Sequence, residues 1–329
     1  MAGKKKTEAI QESQEALSMA EETVVKATGK YINPLTDFGF KYIFGTKEYL
    51  MDFLNAVLKI KGGIVDLQYD NTERRGLSED DRTTVFDLYC TVGDDDRILI
   101  EMQLQPQGYF KNRLLYYGSR MIQEQGEGNK GDEWGFDLKK VYSISIVNFR
   151  LNRQERKTKE DKTIEKYASY VQLMDKKTRR IFSDRLTFVN LELPSFNKEV
   201  DELENSIEEW MYVLKNLARL NDLPEPLRKR YFESLFHKAE IAKLPKEKRK
   251  EYNQSVKNLL DMNALIAEKN REIAALSQNN VALSQKNATL SQNYAAISQN
   301  YAALSQNNAA LQKEIAELRR RLGINGYSQ

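Results

Sequence analysis

The chain has 329 residues, 40% hydrophobic and 30% charged, with a formal net charge of +3, so it is long enough for one sizeable core plus an appendage and is no polycation. Apolar stretches are short and broken by charge, no apolar leader follows Lys4–Lys6, and the lone Cys90 excludes an internal disulfide. These features exclude a membrane span and point to a reducing cytoplasm.

In chain order, residues 1–29 are polar and read as a flexible lead-in, with a short helix expected over 16–25. Helical spacing of Leu50, Phe53, Leu54, Val57 and Leu58 predicts a helix over 46–59. A short strand is expected at 64–69 and a loop at 71–82, followed by strand-like runs at 84–90 and 98–103 around the acidic turn Gly93–Asp96. Phe110, Leu114, Tyr117 and Met121 mark a helix over 108–125, which the glycines of 126–131 stop. Residues 141–149 and 185–193 alternate and are β-branched, so both read as strands. Beyond Pro194 helices are expected over 200–217, 227–236 and 246–260. The order helix–strand–strand–helix–strand predicts an α/β fold, a mixed sheet flanked by helices, followed by a helical region.

From Ala275 the chain repeats in near-identical sevens, with Leu276, Leu283, Leu290, Ile297, Leu304, Leu311 and Leu318 recurring. A strict seven-residue apolar period predicts a long C-terminal heptad-repeat coiled coil. With those residues at d, the a positions carry Asn280, Asn287, Tyr294, Tyr301 and Asn308 between Ile273 and Ile315. That seam is weak in its middle and firm at its ends. The helix, about 80 Å over 269–322 at 1.5 Å per residue, is expected to form a homo-oligomer, most simply a parallel dimer; the alternative is a lone, partly frayed helix.

Asp87 and the triplet Glu101-Met102-Gln103 carry the chemistry. Two carboxylates set in apolar strands are costly to bury without a partner. Mg²⁺ suits such a pair, because it takes one or two carboxylates plus waters and substrate phosphates. Glu101 and Gln103 share one strand face, and an odd-length loop, such as 94–96, puts Asp87 on it too; an even loop inverts it. The alternative is a surface hairpin with solvated acids.

The run Tyr31-Ile32-Asn33-Pro34-Leu35-Thr36-Asp37-Phe38-Gly39-Phe40-Lys41-Tyr42-Ile43-Phe44-Gly45 opens the domain. Phe86-Asp87, Glu101-Met102-Gln103 and Arg113-Leu114-Leu115-Tyr116-Tyr117 follow it. Together these resemble the PD-(D/E)XK nuclease family of transposases, the recombination-promoting nucleases, over roughly residues 30 to 260. The resemblance implies a restriction-endonuclease-like core, a bacterial setting and DNA cleavage dependent on Mg²⁺ (or Mn²⁺). Asp87 and Glu101 would be the metal ligands, and Asp87, Glu101 and Gln103 the catalytic set. The wider superfamily usually carries Lys where this chain has Gln103, a substitution many family members share; the amide can orient a water or phosphate but lacks the Lys charge. Arg113 and Tyr117 match family positions; otherwise Tyr117 is core and Arg113 pairs with a local acid. Asp37 either adds an acidic contact or caps the turn that begins at Phe38, and Lys41 either meets a phosphate or stays on the surface.

The expected organisation is a nuclease-like core over 30–195, a helical region over 196–263, a coiled coil over 264–323 and a tail over 324–329. The partners are DNA and a second copy through 269–322. Basic patches at 139–140, 150–157, 176–180 and 228–230 are either phosphate contacts or solvated faces. A rival reading keeps the fold as a catalytically weak or inactive DNA-binding or assembly module. His237, the sole histidine, has no Ser or Cys neighbour, and neither a glycine-rich phosphate loop nor a cysteine cluster is present.

Overall fold

Thr36 starts the first helix of the core, its Oγ1 accepting the Gly39 N–H at 3.0 Å. The computed structural model describes residues 29–74, 84–85, 87–126, 135–151, 167–228 and 231–322. The helix expected over 16–25, the glycine stop beyond 126 and most of the basic patch at 150–157 lie outside them.

Helix α1 (Asp37–Phe44) leads into α2 (Lys47–Leu58). The chain reaches α1 through an Asx turn in which the Leu35 N–H donates to Asn33 Oδ1 at 2.9 Å. Gly39 is required here by close approach, because a Cβ would sit 2.0 Å from the Asn33 carbonyl oxygen. Gly39→Ala should therefore destabilise the fold by about 2 kcal/mol or more, read from urea denaturation. An unchanged midpoint would show that the turn can give way.

Strands β1 (Leu67–Tyr69), β2 (Glu73–Arg74), β3 (Thr84–Val85), β4 (Leu88–Val92) and β5 (Asp96–Gln103) precede helix α3 (Phe110–Gln123). After it come β6 (Val141–Val147), β7 (Ala168–Met174) and β8 (Ile181–Glu192). The main sheet has the order β1-β4-β5-β6-β8-β7, while β2 and β3 pair apart from it. Parallel pairs β5/β6 and β6/β8 sit among antiparallel neighbours, so the sheet is mixed, as expected. Parallel pairing of β5 with β6 needs a crossover, which α3 supplies. Every residue of β6 is buried, as befits a central strand. Its Ser145 Oγ donates to Asn190 Oδ1 at 2.8 Å, and Asn190 Nδ2 donates to Ser169 Oγ at 3.1 Å, joining three strands by a polar ladder.

Helices α4 (Ser206–Asn216), α5 (Phe232–Ala239) and α6 (Lys246–Arg321) complete the chain. Trp210 of α4 is fully buried among Phe44, Phe53 and Phe232, with ring centroids 5.1–5.7 Å away, and its indole N–H donates to Asp52 at 2.9 Å. Tyr252 and Val256, early in α6, join the same core, and Tyr252 Oη accepts the Asn33 N–H at 3.0 Å.

Several boundaries differ from expectation. The run 84–90 is not one strand, because Thr84–Val85 pairs with β2 whereas Leu88 onward pairs with β5 in the main sheet. The helix expected from Val200 starts at Ser206, since Asn205 Oδ1 caps it and Val200–Glu202 forms a separate 3-10 turn with its own capping box. Strand β7 was not expected, and β8 is four residues longer at its start. The two helices expected over 246–260 and 269–322 are one continuous helix, there being no Gly or Pro between Lys246 and Arg321. The chain divides into two compact units, one over 24–261 and the other containing 262–322. Within the latter, Leu276, Leu283, Leu290, Ile297, Leu304, Leu311 and Leu318 are all exposed in a single chain.

Candidate active site

Strands β4 and β5 are joined by Gly93–Asp95, a loop of odd length, and pair Leu88 with Ile100 and Tyr89 with Leu99. Continuing that register by one residue sets Asp87 opposite Glu101, so the two acids share a face. The loop that achieves this begins one residue earlier than 94–96. Gly93 and Asp95 both adopt positive φ, which lets three residues close the turn.

Glu101 is buried, at 6% exposure, and Asp87 is half-buried. Asp87 Oδ2 accepts the Met102 N–H at 2.7 Å, which fixes that carboxylate against β5. Burial, and then the charge of Asp87, pushes the Glu101 carboxyl up to about 8, against a weaker downward pull from Arg113. Burial also raises Asp87, opposed by the Met102 amide and by Lys41. Glu101 Oε1 is buried and has no hydrogen-bond partner.

Helix α3 brings a cation to this pair. Arg113 Nη2 donates to Gln103 Oε1 at 2.7 Å and lies 3.6 Å from Glu101 Oε2, while Nη1 donates to Gln107 Oε1 at 2.9 Å. The guanidinium carbon sits 5.2 Å from the Phe110 ring centroid and 5.9 Å from that of Tyr117. Gln103 is engaged at both ends, since its Nε2 donates to the Gln105 carbonyl at 3.0 Å. Tyr117 is half-buried against the small cluster of Tyr89, Leu99, Met121, Val141 and Leu186. It serves both as packing and as one face against Arg113.

Asp37 and Lys41 pair with each other at 2.7 Å, one turn apart on α1. The cap of that helix is Thr36, so Asp37 does not fill the capping role. Both residues bear electrostatically on Asp87 and line a cavity of about 980 Å³ between α1 and the first turns of α6. The same wall holds Lys238, whose ammonium lies 4.7 Å from the Tyr42 ring centroid. Spacing gave no sign of Lys238, nor of Gln107 as a holder of Arg113, because both contacts arise from tertiary packing.

The donor set can be tested against a divalent ion. Among the described residues no group of three or more His, Cys, Asp or Glu side chains gathers, so the pair Asp87 and Glu101 is the carboxylate complement. Two carboxylates, one with a buried oxygen lacking any partner, fit Mg²⁺ or Mn²⁺, which complete their shells with water and phosphate oxygens. Cys90 offers no competing nucleophile, for burial pushes its thiol up to about 12.

Set beside known proteins, residues 34–269 match the model of the PD-(D/E)XK nuclease family transposase. The chain belongs to that family. No curated protein and no solved structure matches it. The match spans the whole sheet, α1 to α5 and the start of α6, so the PD-(D/E)XK assignment covers every residue of the acid and guanidinium cluster. No helix among the described residues is long and apolar enough to cross a membrane.

Proposed function

We propose that this PD-(D/E)XK family member is a metal-dependent DNA endonuclease that hydrolyses phosphodiester bonds and so promotes recombination in a bacterial cytoplasm. The supporting observation is the facing pair of half-buried Asp87 and buried Glu101, the latter with an unpartnered carboxylate oxygen beside a clamped guanidinium. Asp87 and Glu101 would hold Mg²⁺ or Mn²⁺. When bound there, such an ion supplies Lewis acidity toward the scissile phosphate and lowers the pKa of a bound water.

The chain's own residues do the rest. Arg113 brings a planar guanidinium to Gln103, the position at which the wider superfamily usually carries Lys. Its donors suit the phosphate oxygens on which negative charge develops. Gln103 and Gln107 fix the plane of the fork, so Gln103 acts by positioning Arg113 instead of by touching water. Asp37 and Lys41, which bear electrostatically on Asp87, line the open cavity between α1 and the first turns of α6, a course for an incoming strand. Supercoiled plasmid incubated with protein and Mg²⁺ should become nicked and then linear, and EDTA should stop the reaction. Metal-dependent DNA binding without cutting would favour the inactive assembly module instead.

The seven-residue stripe of the tail supports self-association as a parallel dimer through 269–322. Its exposed leucines have no partner within one chain among the described residues, and a second copy would cover them. The triple change Leu283→Glu, Leu290→Glu and Ile297→Glu should halve the mass seen by light scattering. An unchanged mass would place the contact elsewhere.

A further inference from the structure

A second feature lies at the opposite edge of the sheet from β1. Strand β6 pairs with β8 only from Leu186 to Glu192, whereas β8 begins at Ile181 and is still joined to β7 at Met174↔Ile181. Among the described residues, the segment from Leu173 to Ser183 is therefore a two-stranded ribbon without a third strand. Its tip is ordered by its own bonds. The Asp175 N–H donates to the Arg180 carbonyl and the Arg179 N–H to the Asp175 carbonyl, both at 2.9 Å. Asp175 Oδ1 accepts the Lys177 and Thr178 N–H groups at 2.8 and 2.6 Å, which holds that carboxyl below its usual range.

Lys176, Lys177, Arg179 and Arg180 crowd this tip, all exposed and none ion-paired among the described residues. The one acid of the turn, Asp175, is bound to backbone amides and pairs with none of the four cations, so four positive charges and one negative leave the turn with a net +3. Directly behind them Leu173, Met174, Ile181 and Phe182 are exposed, Phe182 at 82%. The register explains why. Leu173 faces Ser183 and Met174 faces Ile181, so Phe182 is an extra residue without a cross-strand partner, and the irregularity turns it outward.

Exposed cations alone would be a solvated turn, and exposed apolar strands alone would invite another sheet edge. Together on a stiff ribbon they fit duplex DNA. A two-stranded ribbon enters the major groove, roughly 12 Å wide, with cations on the phosphates, and apolar side chains can contact base edges there, such as the thymine methyl. A second copy of the ribbon is a poor occupant, because a two-fold contact would bring one net-positive tip against another.

We propose that the β7–β8 ribbon is a duplex-DNA docking element. Lys176, Lys177, Arg179 and Arg180 meet backbone phosphates and Phe182 packs against the bases. The inference rests on the nuclease reading only in taking DNA as the partner, and it does not require cleavage. The test is binding of a fluorescent duplex of about 30 base pairs to the full chain in EDTA, across a salt series. The combined variant Lys176→Gln, Lys177→Gln, Arg179→Asn and Arg180→Gln keeps the Asp175 turn, and Asn tolerates the positive φ of position 179. It should bind about 100-fold more weakly, with the log–log salt slope reduced by about 3 to 4. Phe182→Ala should weaken binding by roughly 10-fold with the slope unchanged.

Equal affinity and slope in the tip variant overturns the proposal, as does a fall in oligomer mass with Phe182→Ala, which would assign the ribbon to a second copy. If the wild type cuts plasmid yet the tip variant binds normally, only the ribbon assignment fails. If binding depends on the tip while no metal supports cutting, only the nuclease reading fails.

Discussion

Glu101→Gln and Asp87→Asn are each expected to lower plasmid cleavage by on the order of 10³-fold or more, since losing one of two carboxylates removes several kcal/mol of charge stabilisation supplied through the ion. Cleavage within a few-fold of wild type in either variant would take that acid out of the mechanism. Glu101 also makes a stability prediction whose sign is fixed by burial. Its folded carboxyl titrates near 8 against an ordinary value of 4.5, so the unfolded chain releases this proton first as pH rises. The metal-free protein should then lose stability between about pH 4.5 and pH 8, by a few kcal/mol from this group, and level off above. Glu101→Gln should lose less over that interval, and Mn²⁺ should restore the wild type more at pH 8 than at pH 5, because metal binding competes with the proton. Equal pH dependence in wild type and variant, by urea denaturation, would contradict the buried-acid account.

Arg113→Met should reduce the cleavage rate by about 100-fold while leaving the melting temperature close to that of the wild type. Arg113→Lys should recover part of the loss, since it restores charge but not the two-pronged grip on Gln103 and Gln107. Gln103→Ala should cost less than Arg113→Met, and on the Arg113→Met background it should cost nothing further. Residues acting as one unit are non-additive. Additive losses would show that Gln103 has a duty of its own at the reacting atoms.

Sequence signals that act over short distances along the chain foreshadow the structure best. The heptads were readable because period and propensity are local and repeated. The mixed sheet was readable in outline, though not its strand order, because Val141–Val147 and the end of β8 are buried apolar runs. Strand β7 escaped notice because Tyr170, Val171, Leu173 and Met174 are exposed, so no alternation between core and solvent marks it. The acid pair was half legible. Its residue types were plain, but its register hung on whether the loop held three residues or two, which Gly93 and Asp95 decide by backbone conformation. The clamp of Arg113 was not legible, for Gln103, Gln107 and Arg113 meet only after the chain leaves β5 and folds back along α3.

The near-identity of the sevens in the C-terminal helix bears on how this protein can vary. Each unit occupies about 10.5 Å of helix at 1.5 Å per residue and returns the stripe to the same phase. Gain or loss of a whole unit by slippage keeps both the reading frame and the leucine phase. A whole unit can therefore be added or removed without breaking the stripe, whereas a one-residue insertion among Leu276–Leu318 would turn the leucines on either side of it to different faces.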